Sequence, residues 1–381
     1  MMRFDAKTQL IVSIDLTDDI WKLIQEEQAS SVGLMVDSNL ADHKDIQNLR
    51  EFLEKKVALH VQNILASEPT TDMVNEYSSI FRVSPVDLFI AIGGGSVIDL
   101  TKAVSVMVVN EGIVEDYHGT GKPFLECIKK IAVPTTAGTG SEVTPGAVLV
   151  NTTTNFKRGL GGRQVSPEYA VLYAPLTMTM PDSITASTGM DALGHAVESY
   201  TAKNANDVSR MYSRQAFSMV FNNLNKLINC KEDIELREKI LLGSSLAGFA
   251  IYNSNTGACH SMAYALGIYH QIPHGLAVAH LLPKVVKINI EKGCFIYGDL
   301  YNLIEEANPV IDNKLGSEKF LDSLEYLSSL LQFGKTFSDF GVSAENNEFL
   351  AERGLDLTPA LNNNPVQFTL DDAKRVLMEC I

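Results

Sequence analysis

Short apolar runs alternate with amphipathic stretches through the first half of the chain. Residues 31–36, 57–65, 86–92 and 128–133 are runs of strand length, the last two stopped by three glycines and by Pro134. Between them, residues 45–54 and 72–81 carry apolar positions at helical spacing. Such alternation predicts a parallel sheet with helices on both faces. Beyond about Pro181 the strand-like runs vanish. Met190, Leu193, Val197 and Tyr200 recur as one buried helix face, and residues 209–227, 234–252 and 320–331 also read as helices. The expected organisation is an α/β domain over residues 1–180 and an all-α domain over 181–381, with the boundary placed to within about ten residues. No internal repeat or low-complexity tract interrupts this pattern.

Composition narrows the functional classes. The 381 residues suffice for two sizeable cores. A net charge of -15 argues against nucleic acid or an anionic membrane as the main partner, since both demand clustered Lys and Arg. No apolar run approaches the roughly 20 residues needed to span a bilayer, and the charged segment 1–11 lacks a signal-peptide core. The five cysteines form no C-x-x-C pair, which fits a reducing compartment. A cytoplasmic homodimer is expected.

Two glycine-rich segments are candidates for phosphate binding. In Ile90-Ala-Ile-Gly-Gly-Gly-Ser-Val-Ile-Asp-Leu-Thr-Lys102 a strand runs through glycines into a helix, letting backbone N–H groups approach an anion. Ser96 is placed to cap that helix, with Asp99 completing a capping box. The segment matches neither G-x-G-x-x-G nor a Walker A sequence, and a tight turn without a ligand would also use these residues. Pro134-Thr-Thr-Ala-Gly-Thr-Gly-Ser-Glu142 again follows a strand and is dense in hydroxyls, as either a phosphate loop or a polar turn. Asp37, just past the strand at 31–36, is placed either to accept from a ribose 2′-hydroxyl or to cap a local turn.

Five of the eight histidines fall between His195 and His280. Asp191 and His195 lie four apart on one predicted helix, beside its apolar stripe, where polar residues are costly unless paired or ligated. His260 opens a further predicted helix, and His274 sits in the turn-like Pro273-His274-Gly275. One carboxylate and three imidazoles suit Fe²⁺ or Zn²⁺ with an open position for substrate. Cys259 reads as a small buried filler rather than a thiolate ligand. His43, His60 and His118 carry no assignment.

Together, Gly93-Gly-Gly-Ser-Val-Ile-Asp99 with Lys102, residues 134–142, Gly189-Met-Asp-Ala-Leu-Gly-His-Ala-Val-Glu198, His260-Ser-Met-Ala263 and Pro273-His-Gly275 resemble the iron-containing (group III) alcohol dehydrogenases over nearly the whole chain. The resemblance implies a dehydroquinate-synthase-like fold: a Rossmann-type N-terminal domain, an all-α C-terminal domain and a cleft between them. It implies metal binding at Asp191, His195, His260 and His274. It implies dinucleotide contacts at Asp37, Gly94, Gly95, Ser96, Thr135, Thr136, Thr139 and Lys157, with Asp37 favouring NAD over NADP. Three positions depart from the family pattern. Tyr264 stands where a second histidine usually follows the one matching His260, the glycine-bearing lead-in is blurred over residues 10–20, and Tyr173-Ala174 replaces the usual Asp-Pro.

The leading expectation is therefore hydride transfer between NAD(H) and a primary alcohol or aldehyde, with the metal as Lewis acid and the protein supplying orientation and water exclusion. Tyr264, one helical turn beyond His260, is expected to shape substrate choice and orientation rather than act as a base. Its phenol, with a reference pKa of about 10, is a poor proton acceptor at neutral pH. A lyase or cyclase of the dehydroquinate synthase type and a non-catalytic metal- or nucleotide-binding scaffold are the alternatives. Arg158 and Arg163 are read as surface residues, or as anchors if the substrate carries an anion.

Overall fold

The apolar runs at 31–36, 86–92 and 128–133 form interior strands of a six-stranded sheet, with the strand read at 57–65 on its edge, in the computed structural model, which describes residues 4–65, 68–119, 126–154, 156–331 and 333–381. In chain order this half contains β1 (Gln9–Val12), α1 (Leu16–Glu26), β2 (Ser31–Asp37), α2 (Lys44–Leu53), β3 (Ala58–Ile64), α3 (Thr71–Val83), β4 (Leu88–Gly93), α4 (Gly95–Met107), β5 (Lys129–Pro134), the antiparallel pair β6 (Gly146–Asn151) and β7 (Phe156–Gly161), and β8 (Tyr169–Leu172). The sheet is parallel throughout, in the order β1-β8-β5-β4-β2-β3.

Both faces of the sheet are covered, as an all-parallel sheet requires. On one, Val32, Leu34 and Val36 of β2 and Leu88, Ile90 and Ile92 of β4 pack against Leu16, Ile20, Leu23 and Ile24 of α1 and Leu49 and Leu53 of α2. On the other, Met35 and Phe89 meet Val74 and Phe81 of α3, Val97 and Leu100 of α4, and Ala147 and Leu149 of β6. The side chains alternate between faces because the strand period is two. Lys102, buried in α4, holds β6 in place by donating to the Gly146 carbonyl at 2.7 Å, while Asp99 accepts from the Val148 N–H at 2.9 Å. The expected capping box is thereby corrected. Asp99 is engaged by another element, the N-cap is Gly94, and no side chain caps α4.

β2 pairs with β3 on one side and β4 on the other, so the chain winds outward in both directions from β2. The carboxyl ends of β2 and β4 flank this reversal of strand order, the position at which open α/β sheets bind ligands. Asp37 ends β2 and Gly93 ends β4.

From residue 178 onward there is no strand among the described residues. The helices are α5 (Asp182–Thr201), α6 (Asp207–Asn229), α7 (Ile234–Ser254), α8 (Ala258–His270), α9 (His274–Glu291), α10 (Gly298–Tyr301), α11 (Asn313–Leu330), α12 (Asn347–Gly354), α13 (Thr358–Asn363) and α14 (Leu370–Met378). α5 is surrounded by α6, α7 and α9 and is buried along nearly its whole length from Thr185 to Thr201. His274 is the first residue of α9, behind Pro273 at the N-cap, so the expected turn at 273–275 is a helix start.

The chain divides into two compact units. One is Ala6–Thr136 with Ser141–Thr177; the other is Met178–Ile381 with residues 4–5 and Ala137–Gly140. The last segment joins the helical unit because Gly140, at φ +64°, lies so close to α7 that an added Cβ would sit 2.6 Å from the Gly248 Cα.

Candidate active site

Asp191, His195 and Glu198 project from one face of α5, at spacings of four and three residues that an α-helix stacks on one side. His260 lies in the first turn of α8 and His274 opens α9. The three helices bring the imidazole Nε2 atoms to Asp191 Oδ1, at 3.4 Å for His260, 3.5 Å for His274 and 4.0 Å for His195. The rings of His195 and His260 stack at 4.4 Å between centroids. Asp191, His195 and His260 are deeply buried, whereas 29% of the His274 side chain is exposed.

Asp191 Oδ1 and His260 Nε2 are both buried without a hydrogen-bond partner. Orphaned polar atoms of this kind are rare, and a shared role as metal ligands accounts for both. The donor set agrees, because imidazole nitrogen and carboxylate oxygen suit a divalent cation such as Fe²⁺ or Zn²⁺. Burial opposes ionisation of Asp191, but the surrounding imidazoles hold its carboxyl well below the usual range. Burial pushes His195 down to about 4, leaving a neutral ring suited to ligation. Burial also disfavours charge on His260, yet Glu198 and Asp191 hold it at about 9.

Each buried ring is oriented from its other nitrogen. His195 Nδ1 meets the Gly138 carbonyl at 3.2 Å, and His260 Nδ1 meets Glu198 Oε2 at 2.5 Å. Sequence reasoning left Glu198 without a role. Its partner lies 62 positions away, although its spacing on α5 already set it on the face of Asp191 and His195. Cys259 is fully buried, its thiol directed at the Val278 carbonyl at 3.8 Å. Tyr264 follows His260 by one turn of α8, and its ring lies 5.4 Å from that of His274. The half-buried Tyr264 is therefore beside the cluster.

In the α/β unit, Gly94 and Thr136 are in contact: a Cβ on Gly94 would come within 3.3 Å of the Thr136 Cγ2 and Oγ1 atoms. The Thr135 N–H donates to the Gly93 carbonyl at 3.0 Å, tying the ends of β5 and β4 together. With no side-chain cap, the first-turn N–H groups at Gly95 and Ser96 form the positive end of α4. Asp37 accepts from the Asn39 N–H at 2.9 Å, capping a single 3₁₀ turn. Lys157 on β7 reaches Glu68 at 2.5 Å, so its charge already has a partner. Thr139 lies in the 137–140 segment, within the helical unit.

Residues 8–174 match the profile of the iron-containing alcohol dehydrogenase family, and residues 185–381 match the C-terminal domain of the Fe-containing alcohol dehydrogenase family. A 1,3-propanediol dehydrogenase of Klebsiella pneumoniae is 31% identical over 333 residues, covering 87% of this chain and 86% of its own. A crystal structure of 1,3-propanediol oxidoreductase superposes over 100% of both chains with a TM-score of 0.94 at 27% identity. Sulfoacetaldehyde reductase from Bifidobacterium kashiwanohense, solved in complex with NAD+, gives a TM-score of 0.90 at 25% identity over 100% of this chain and 98% of its own. These likenesses favour a dehydrogenase over the lyase and scaffold alternatives. Both halves of the chain point to one family, so the protein belongs to the iron-containing alcohol dehydrogenases and is an oxidoreductase of the alcohol dehydrogenase type.

Proposed function

We propose that the protein catalyses reversible hydride transfer between NAD(H) and a short-chain primary alcohol or its aldehyde, with Fe²⁺ held by Asp191, His195, His260 and His274. The observation that carries this reading is the meeting of three imidazole Nε2 atoms at the orphaned Oδ1 of Asp191. When bound, the metal supplies Lewis acidity at a substrate oxygen and the nicotinamide exchanges the hydride. The half-exposed His274 marks the side of the cluster from which a substrate oxygen would approach. Tyr264 stands on that side and can donate a hydrogen bond to the oxygen, fixing its orientation.

For the dinucleotide, the uncapped start of α4 at Gly94, Gly95 and Ser96 would take the pyrophosphate, with Thr135, Thr136 and Thr139 supplying hydroxyls. Asp37, ending β2 beside the reversal of strand order, would accept from a ribose 2′-hydroxyl and repel a 2′-phosphate. Lys157 would reach the cofactor by exchanging Glu68 for it. An NAD+ complex of a relative supports NAD over NADP. In this reading the α/β half carries the cofactor, the helical half carries the metal, and the enzyme works as a cytoplasmic homodimer without nucleic acid. No helix among the described residues is long and apolar enough to cross a membrane.

The test is steady-state turnover of anaerobically Fe²⁺-loaded protein with NADH or NADPH and a panel of short aldehydes, including those related to 1,3-propanediol and sulfoacetaldehyde. NADH oxidation that is lost on chelation and restored by Fe²⁺ is expected. Protein that holds stoichiometric iron and turns over no aldehyde or alcohol overturns the reading.

A further inference from the structure

We propose that Glu198 is the positioning residue of the metal centre, fixing the tautomer and aim of His260 and locking the start of the helix that carries it. The proposal rests on the metal site described above. A carboxylate can only accept hydrogen bonds. With Glu198 Oε2 at 2.5 Å from His260 Nδ1, the proton of a neutral His260 must sit on Nδ1. Nε2 then presents its lone pair toward Asp191 Oδ1, 3.4 Å away. The opposite tautomer would turn an N–H at the ligand position and exclude a cation. His195 Nδ1 meets a neutral backbone carbonyl, whereas His260 Nδ1 has a carboxylate behind it.

The same carboxylate controls the backbone that delivers His260. α8 has no side-chain cap from its own sequence. Glu198 supplies one from α5, accepting from the Gly257 N–H at 2.9 Å and the Cys259 N–H at 2.7 Å. Gly257 has an extended backbone that any residue could adopt, so glycine is there for room. A Cβ would lie 2.8 Å from Glu198 Oε1 and 3.1 Å from Asn364 Oδ1. Two residues earlier, Asn255 has φ 69° and ψ 176°, a strained conformation for a residue with a side chain. The strain is held because the Asn363 amide donates to the carbonyls of Ser254 at 2.6 Å and Thr256 at 2.9 Å. The connection from α7 to α8 is thus gripped through its carbonyls by Asn363 and through its N–H groups by Glu198.

Glu198→Gln separates positioning from packing. The amide keeps the volume and one acceptor, but its NH₂ must face either the His260 Nδ1 side or the Cys259 N–H. The first arrangement favours the wrong imidazole tautomer, and the second unseats the first turn of α8. Metal-depleted wild-type protein and the variant are titrated anaerobically with Co²⁺, whose visible bands report coordination. Thermal unfolding of both metal-free proteins is recorded in parallel. The expected result is a variant that folds, binds Co²⁺ at least tenfold more weakly and shows altered bands, in line with the usual effect of losing a ligand's hydrogen-bond partner. Gly257→Ala, which crowds Glu198 without changing its charge, should move affinity the same way. Equal affinity and identical bands in wild type and Glu198→Gln overturn the positioning role and leave the metal site standing. Wild type that takes up no Co²⁺ overturns the metal site and this role with it. If Glu198→Gln fails to fold, ¹⁵N-histidine spectra of Zn²⁺-loaded wild type decide: a protonated Nδ1 and a metal-bound Nε2 on His260 are expected, and a protonated Nε2 refutes the proposal.

Discussion

Replacing His260 or His274 with alanine should weaken metal binding alike while separating sharply in stability. Both Nε2 atoms stand at nearly the same distance from Asp191 Oδ1, 3.4 and 3.5 Å, so each loss leaves an equally incomplete shell. If metal affinity of about 10–16 kcal/mol is shared by four ligands, each contributes roughly 2.5–4 kcal/mol, or about two to three decades in Kd. Their cost to the metal-free fold differs. His260 is buried, and truncation leaves a ring-sized cavity worth about 2–5 kcal/mol. It also strips Glu198 of one of its three donors, adding about 1 kcal/mol because two backbone N–H groups remain. His274 opens α9 with 29% of its side chain exposed, so its truncation leaves less buried void and should cost less than that of His260. Urea unfolding followed by circular dichroism, with chelator present throughout, reads the difference. Anaerobic metal titration of the apoproteins reads the similarity. Equal destabilisation by the two substitutions would refute the burial argument, and wild-type metal affinity in either variant would refute the ligand assignment.

Other expectations follow from separate parts of the molecule. Asp37→Gly should narrow the preference for NADH over NADPH in kcat/KM, and wild type that already prefers NADPH contradicts the role given to Asp37. Tyr264→Phe should lower kcat/KM on the best aldehyde about tenfold, roughly 1.4 kcal/mol, with metal content unchanged; unchanged kinetics would leave the ring a packing role beside His274. Burial lowers the Lys130 amine from its ordinary 10.5 to about 8. Between these values the unfolded chain holds a proton that the folded chain has released, so stability should rise with pH across that window. Lys130→Met should lack this rise, which amounts to as much as about 3 kcal/mol. Urea midpoints at pH 8 and pH 10 that shift equally in both proteins would exclude this linkage.

What could be read from the sequence follows the range of the interactions involved. The strands at β2, β4 and β5 are legible because their burial produces apolar runs, ended by Gly93 in β4 and Pro134 in β5, whereas the edge strand β3 shows only a weaker, mixed pattern. The Asp191–His195 pair was visible because its geometry is contained in one helix. α1 carries a local signal that the sequence analysis does not use: Leu16, Ile20, Leu23 and Ile24 mark its buried face behind Asp15 as N-cap, in and beyond the segment where the family's glycine-bearing lead-in is blurred. The Ser96–Asp99 box was misread because a capping motif looks the same whether its acid turns back on its own helix or outward to the Val148 N–H. Glu198 illustrates the harder limit: what it does depends on His260, Gly257 and Cys259, all delivered by a different helix.

The uneven exposure of the four donors also governs how quickly a metal can come and go. Three donors lie in close-packed interior, where a side chain cannot swing aside without disturbing its neighbours. His274 is the least enclosed of the four, since 29% of its side chain is exposed. Entry and escape of an ion would then run through the opening and closing of this one imidazole, while the other three hold the vacated geometry ready. Affinity would be shared among all four donors, and residence time set mainly by His274. A conservative change at this position could therefore speed metal exchange by far more than it weakens equilibrium binding, and an apoprotein prepared by chelation should reload without a slow refolding phase.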